Sequence, residues 1–262
     1  MQIDAIILAG GDPDKDAELL AYAGNAPRKA LIRLGEKTFL EHIVSAMLDS
    51  NRVRRIIVVG LPTQHTMNLG AQVSYIPDAG GLLENGQAGI DYLRGTGHIS
   101  ERVLAASSDI PLITPKIVQD LLALCLPHDV DFCYSIVDKQ IMERAFPGSG
   151  RTFIPIQSRR FAGGDINVSK STILDTNKSK LKSIIGERKT FWKQLRAIGL
   201  DTVFLFLIRR LTIAQIEHRV NKALGFKGKA IICPYAQVAM DVDKPHHLDI
   251  VRDAWARQQR GV

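Results

Sequence analysis

Cysteine is scarce: Cys125, Cys133 and Cys233 are the only three in 262 residues. An odd number with no C-x-x-C pair argues against a disulfide framework and a zinc ribbon, and a reducing cytoplasm is the expected compartment. Aromatic residues are scarce too, at 6%, which leaves little for the stacking platforms of single-strand nucleic-acid binders. No nucleic-acid partner is expected. Long apolar runs are missing: none exceeds the six residues of Val203 to Ile208, far short of the roughly 20 that span a bilayer. The N-terminus carries no basic stretch ahead of its first apolar run, so neither a membrane span nor a signal peptide is expected.

What is present is an ordinary globular composition, 45% hydrophobic and 23% charged, unlike that of a disordered chain. At roughly 150 residues per domain, the length suits one elaborated domain. The net charge of +7 favours anionic partners such as nucleotides and phosphorylated metabolites. The basic residues fall in small groups (Arg52, Arg54, Arg55; Arg159, Arg160; Lys178, Lys180, Lys182; Arg209, Arg210) rather than in one tract.

Ile3 to Leu8 reads as a buried strand running into Gly10-Gly11. Phe39, Leu40, Ile43, Val44, Met47 and Leu48 recur at helical spacing, and Arg55 to Val59 follows as a second strand. Gln72 to Ile76 reads as a third strand, Asn85 to Leu93 as a helix and Arg102 to Ala106 as a fourth strand. Thr114 and Pro115 mark the start of a further helix, as N-cap and first helical residue. Strands alternating with helices predict an α/β fold in three α/β/α layers, with a mainly parallel sheet whose ligands bind beyond the strands' carboxyl ends. From Asp131 the rhythm loosens. Strands are predicted at Phe132 to Val137, Thr152 to Gln157 and Lys229 to Cys233, with a polar turn after Gly163-Gly164. Helices are predicted around Trp192, Leu195 and Ile198, from Leu211 to Leu224, and from about His246 to Gln259. One domain over 1–262 is expected, with a nucleotide-binding half at 1–130 and an acceptor-side half at 131–262.

Four segments carry candidate chemistry. Leu8-Ala9-Gly10-Gly11 is either a tight turn or a loop whose bare backbone N–H groups approach a phosphate. Neither G-x-G-x-x-G nor G-x-x-x-x-G-K-[ST] is present, which argues against a dinucleotide site and a P-loop. Arg28 and Lys29, after the polar insert 12–26, form either a solvated basic turn or a clamp for a triphosphate. Asp109 follows a predicted strand, and Asp241 and Asp243 sit at another strand end with Val242 between them. Carboxylates from distant segments meeting at one sheet edge suit Mg²⁺, which takes one or two carboxylates besides substrate oxygens and water. Helix capping by Asp243 is the alternative. His246 and His247 diverge on a helix and are taken as surface residues.

Taken in order, Ala5-Ile6-Ile7-Leu8-Ala9-Gly10-Gly11, Pro27-Arg28-Lys29-Ala30-Leu31, Ser107-Ser108-Asp109-Ile110-Pro111 and Asp241-Val242-Asp243-Lys244-Pro245 resemble the nucleotidyltransferases of GT-A-type fold. The likeness is to the MobA-like NTP transferases, relatives of the molybdenum-cofactor guanylyltransferases, and it spans nearly the whole chain. It implies a Rossmann-like, mixed, mainly parallel sheet. It also implies Mg²⁺-dependent transfer of a nucleoside monophosphate from an NTP to a small phosphorylated acceptor. By the same likeness Lys29, Asp109 and Asp243 are catalytic, and Asp109, Asp243 and less directly Asp241 hold the metal. Leu8, Ala9, Gly10, Gly11, Arg28, Lys29, Asn85, Gly86 and Ser108 bind the nucleotide, and Gly163, Gly164 and Asn167 face the acceptor. Many relatives read G-G-x-G-x-R where this chain has Gly11-Asp12-Pro13-Asp14-Lys15, and Arg28 is the candidate to replace that arginine. Two other readings are a glycosyltransferase, from the D-x-D at 241–243, and a nucleotide-binding module without turnover.

Overall fold

The first strand, β1 (Ile3–Leu8), is the pivot of the architecture. Ile3, Ala5 and Ile7 on one face and Ile6 on the other are all buried, as a strand covered on both sides requires. The computed structural model describes residues 1–175 and 212–260. After β1 come α1 (Ala17–Tyr22), a small antiparallel pair β2 (Arg33–Leu34) and β3 (Lys37–Thr38), then α2 (Phe39–Asp49) and β4 (Val53–Val59). β5 (Val73–Ile76), α3 (Leu82–Gly95), β6 (Arg102–Ser107) and α4 (Pro115–Cys125) complete the first half. The second half contributes β7 (Phe132–Asp138), α5 (Lys139–Ala145), β8 (Ile154–Ile156), β9 (Arg159–Gly163) and β10 (Ile166–Lys170). It ends with α6 (Ile213–Leu224), β11 (Gly228–Ile232) and α7 (Pro245–Gln259).

Among the described residues, nine strands make one sheet in the order β5, β4, β1, β6, β10, β7, β9, β8, with β11 paired to β7. β1 is parallel to β4 and β6, β4 to β5 and β11 to β7. β10 runs antiparallel to β6 and β7, and β9 antiparallel to β7 and β8. Only β9 and β10 therefore oppose the common direction, and the sheet is mixed but mainly parallel. Ile3, Ala5 and Ile7 pack with α2, α4 and α7 in one core, while Ile6 packs with Leu83, Ile90 and Leu93 of α3 in the other. These are the three layers that the alternation predicts. A Cβ at Gly89 would lie 2.8 Å from Ile6, so a bare position there lets α3 lie close on the sheet.

The local signals act as predicted at two helix starts. Thr114 Oγ1 accepts from the Ile117 N–H at 3.3 Å with Pro115 in the first turn, and Thr38 and Glu41 form a reciprocal capping box on α2. Several boundaries differ. α3 begins at Leu82, ahead of Asn85, and α1 lies inside the polar insert that carried no helical pattern. β8 is shorter than the predicted strand, and the polar turn after Gly163-Gly164 is β10, held between β6 and β7. Asp241 to Asp243 form no strand; they connect a short 3-10 turn at Ala236–Ala239 to α7. Trp192, Leu195 and Ile198, and Leu211 at the predicted start of α6, lie outside the described residues.

Candidate active site

The carboxyl ends of β1, β4 and β6 meet at one edge, and glycine lets their loops touch. Gly60, after β4, has φ +94°, and a Cβ there would fall 2.5 Å from Gly10 Cα. A Cβ at Gly10 would fall 2.9 Å from Asn85 Nδ2. The loop after β1 is fixed by Ala9 N–H donating to Val59 O at 2.8 Å, and by Ser108 N–H donating to Leu8 O at 3.1 Å. Arg28 turns back on it, donating from Nη1 to Gly11 O at 2.9 Å. Leu8, Ala9, Gly10, Gly11, Arg28, Lys29, Ser108 and Asp109 all line one cleft of about 280 Å³. A second hollow of about 140 Å³ opens beyond Gly11 and Arg28, between Gly60-Leu61-Pro62 and Pro77-Asp78.

Asn85 is 5% exposed and bonds to Asp78, which lines that second hollow. Its Oδ1 accepts from Ala79 N–H and its Nδ2 donates to Asp78 Oδ1, both at 2.7 Å, so it shapes the 78–80 turn. A Cβ at Gly86, by contrast, would meet Leu174 at 3.4 Å, which places this glycine in the packing of α3.

The acidic residues converge around one lysine. Lys29 begins a 3-10 turn, Lys29–Leu31, that the buried Ala30 anchors. Its Nζ lies 2.6 Å from Asp243 Oδ1, 3.3 Å from Asp16 Oδ1 and 3.7 Å from Asp109 Oδ2. Asp109, Asp241 and Asp243 each bring a carboxylate oxygen within 4.8 Å of the others. The backbone holds them there, because Val242 N–H donates to Asp109 O at 3.1 Å. Asp243 does not cap α7, whose N-cap is Lys244 without a side-chain hydrogen bond. Burial pushes the Asp109 carboxyl up, with Asp243 adding to the shift against the pull of Lys29 and Ser107. Burial also opposes charge on Lys29 and Asp243, yet Asp109 and then Asp243 hold the Lys29 ammonium high, and Lys29 holds the Asp243 carboxyl low.

Four other contributors were not among the candidate site residues read from the sequence. Asp16 enters from the insert, and Ser107 donates from Oγ to Asp109 Oδ1 at 2.5 Å. Arg151, from the loop after α5, forms a buried ion pair with Asp241 and donates from Nη1 to Asp241 O at 3.2 Å. His247 is not the surface residue that its sequence position suggests: it is 5% exposed and its Nδ1 accepts from Asp243 N–H at 3.2 Å. Burial, with His246 and Arg151 nearby, pushes its imidazole down to about 4. Asp16 lies in an acidic run, which was the one available hint; Arg151 and His247 follow no local pattern.

Gly163, Gly164 and Asn167 occupy the crossing from β9 to β10. A Cβ at Gly163 would fall 2.1 Å from Tyr134 Oη, and one at Gly164 would fall 2.2 Å from Ser135 Oγ. Asn167 Oδ1 accepts from Ser135 N–H at 2.8 Å. The bend they permit seats Asp165 between Ser107 and Val238, through bonds of 2.9 and 2.7 Å. All three thus make contacts within the sheet, next to β6, the strand that leads to Asp109.

The family model of the MobA-like NTP transferase domain matches residues 5–220. The chain belongs to that family. The match takes in Gly10, Gly11, Lys29 and Asp109, while Asp241 and Asp243 lie beyond it. Among solved structures, a hypothetical transferase from Thermus thermophilus is 28% identical with a TM-score of 0.79, over 95% of this chain and 100% of that one. A CMP:2-keto-3-deoxy-manno-octonic acid synthetase complexed with CTP has the same fold at 15% identity and a TM-score of 0.62, covering 98% of this chain and 100% of that one. So does the 2-C-methyl-D-erythritol 4-phosphate cytidylyltransferase of Thermus thermophilus, at 15% identity and a TM-score of 0.54, covering 98% and 100%. No curated protein sequence matches the chain. As a MobA-like NTP transferase, the chain is a nucleotidyltransferase, and no helix among the described residues is long and apolar enough to cross a membrane.

Proposed function

We propose that this nucleotidyltransferase moves a nucleoside monophosphate from an NTP to a small phosphorylated acceptor and releases pyrophosphate. The observation that carries the reading is the meeting of Lys29 with Asp109 and with Asp243, 214 positions away, at the rim of the glycine-loop cleft. In this reading the two halves of the chain work as one domain. The first supplies the loop, Lys29 and Asp109; the second supplies Arg151, Asp241 and Asp243.

The Ala9 to Gly11 backbone and Arg28 hold the triphosphate, and Asn85 keeps the Asp78 turn in place beside the nucleoside. An acceptor phosphate oxygen attacks the α-phosphorus in line, and the bond to the bridging oxygen breaks on the opposite side. The electron pair leaves with pyrophosphate, so positioning and charge neutralisation are the protein's main tasks. Lys29 exchanges its carboxylate partners for the leaving oxygens as their charge develops.

The donor set also fits a divalent cation. Asp16, Asp109, Asp241 and Asp243 bring four carboxylates, which when all are ionised stand against the two positive charges of Lys29 and Arg151. The deficit equals one divalent ion, and the all-oxygen donors suit Mg²⁺. Asp109 and Asp243, which face the cleft lysine, would hold it. When bound, such an ion supplies neutralisation of the α-phosphate and the acceptor.

The test is pyrophosphate release from each of the four NTPs, with Mg²⁺, over a panel of sugar phosphates, polyol phosphates and molybdopterin. One NTP with one acceptor class is expected to turn over, and Asp109→Ala is expected to abolish turnover while circular dichroism stays unchanged. Unaltered turnover in that variant, or release of a nucleoside diphosphate from a nucleotide-sugar in place of pyrophosphate from an NTP, would overturn the proposal.

A further inference from the structure

The three clustered aspartates are not held alike. Asp109 and Asp243 both face Lys29, and the Asp243 side chain is 49% exposed. The Asp241 side chain is 11% exposed and is bound to Arg151, itself 14% exposed, through the carboxylate and through the main-chain oxygen. The loop that delivers Arg151 is itself anchored. Gly148 and Gly150 turn it at φ +71° and +65°, Ser149 is fully buried, and the His247 ring donates a hydrogen bond to the Ser149 main chain. A lysine ammonium is a mobile point charge on a flexible stem, whereas a guanidinium fork fixes direction as well as charge. Two carboxylates are thus paired with a mobile ammonium that an incoming cation can displace, and the third is paired with a rigid partner.

The number of carboxylates matters to the identity of the ion. Mg²⁺ keeps several waters and takes one or two carboxylates beside substrate oxygens, while Ca²⁺ takes six to eight oxygens in flexible geometry. Since all three carboxylates reach within 4.8 Å of one another, releasing Asp241 would turn a two-carboxylate site into a three-carboxylate one. We infer that Arg151 is a positioning residue that withholds Asp241 from the cation and so sets the site's preference for Mg²⁺ over larger ions. The inference rests on the cation site proposed for Asp109 and Asp243.

Calorimetric titration of the full chain with Mg²⁺, Mn²⁺ and Ca²⁺ alone, without nucleotide, tests it on the wild type, Arg151→Met and the double variant Arg151→Met/Asp241→Asn. Arg151→Met is expected to raise Ca²⁺ affinity relative to Mg²⁺ by about tenfold or more, the scale on which partners of ligating groups tune metal sites. The double variant has the wild-type net charge and no Asp241 carboxylate, and is expected to restore the wild-type ratio. A merely structural arginine would not give that pattern of shift and rescue. An unchanged ratio in Arg151→Met, or a double variant as shifted as the single one, overturns the inference while leaving the cation site standing. Failure of the wild type to bind any of the three ions overturns both. If Arg151→Met does not fold, Arg151→Lys replaces it: an intermediate ratio supports the withholding role, and a folded lysine variant with the wild-type ratio refutes it.

Discussion

Replacing Asp109 with Asn is expected to move stability in opposite directions with and without ligand. Asp109 is 9% exposed, accepts a 2.5 Å hydrogen bond from Ser107 and shares Lys29 with Asp243 and Asp16. Its burial disfavours the ionised form. Asn keeps the shape and an acceptor for Ser107, and it removes one negative charge from a crowded cluster. Relieving a destabilised functional site commonly gains about 0.5–2 kcal/mol. At roughly 2 °C per kcal/mol for a domain of this size, ligand-free Asp109→Asn should melt about 1–4 °C above the wild type. The ligand acts the other way. A hundredfold excess over Kd adds about 2.7 kcal/mol by linkage, so Mg²⁺ with the right NTP should raise the wild-type Tm by about 5 °C and leave the variant unmoved. Differential scanning calorimetry over the four NTPs, with and without Mg²⁺, measures both shifts. A ligand-free variant less stable than the wild type, or one that keeps the full ligand shift, would refute the reasoning.

Gly60→Ala should lower stability by about 1–3 kcal/mol, the range for strained backbone, because φ +94° and a Cβ 2.5 Å from Gly10 Cα cannot both be accommodated. The KM for NTP should rise with the displaced loop, and a variant with wild-type Tm and KM would show that the close approach is dispensable. Lys29→Ala should cost roughly 10² to 10³ in kcat, as for loss of one charge-stabilising donor; stopped assays of pyrophosphate release would contradict this if turnover fell less than about tenfold. Asp4 governs the acid limb of stability. Burial opposes its charge, but hydrogen bonds from Arg55, Arg54 and Ser100 overcome that and hold its carboxyl well below the usual range. The unfolded chain therefore binds this proton first, and the Asp4 contribution is complete above about pH 3.9 and fades as pH falls towards the folded value. Asp4→Asn should cost about 3–5 kcal/mol at neutral pH and flatten the acid decline in urea unfolding; equal slopes for the two proteins would count against the network.

The first half of the fold was legible because its signals are local. Ile3 to Leu8 is a strand by its own apolar run, and Thr114-Pro115 starts a helix by the chemistry of two adjacent residues. β10 was not legible: the stretch from Gly163-Gly164 up to Ser169 read as a polar turn, and its place between β6 and β7 depends on partners some 60 and 35 positions away. The same reason explains the acidic segment at 241–243. Its geometry comes from Val242 N–H reaching Asp109 O, a bond that no periodicity announces, so a strand was the wrong source for the right convergence. Lys29, Asp109 and Asp243 were found through an ordered set of motifs. Arg151 and His247 belong to no motif, and their proximity is created by the loop after α5 closing on the start of α7.

The net charge of +7 is spread unevenly along the sequence. Positions 176 to 211 hold nine of the 34 basic residues and two of the 27 acidic ones, which leaves 25 of each elsewhere. The rest of the chain is therefore neutral, and around Lys29 the balance is acidic. Among the described residues, a polyanion approaching that edge meets the carboxylates of Asp16 and Asp243 beside Lys29. Among the described residues, long-range attraction, screened beyond about 10 Å at 0.1 M salt, has no excess of positive charge to act through. In the proposed reading the attraction is local: backbone N–H groups of the glycine loop, Arg28 turned onto Gly11, Lys29 released from its carboxylates, and a divalent ion that would neutralise the cluster. A nucleotide stripped of its metal should accordingly bind poorly at any ionic strength, because the carboxylates that would hold the ion otherwise repel the phosphates.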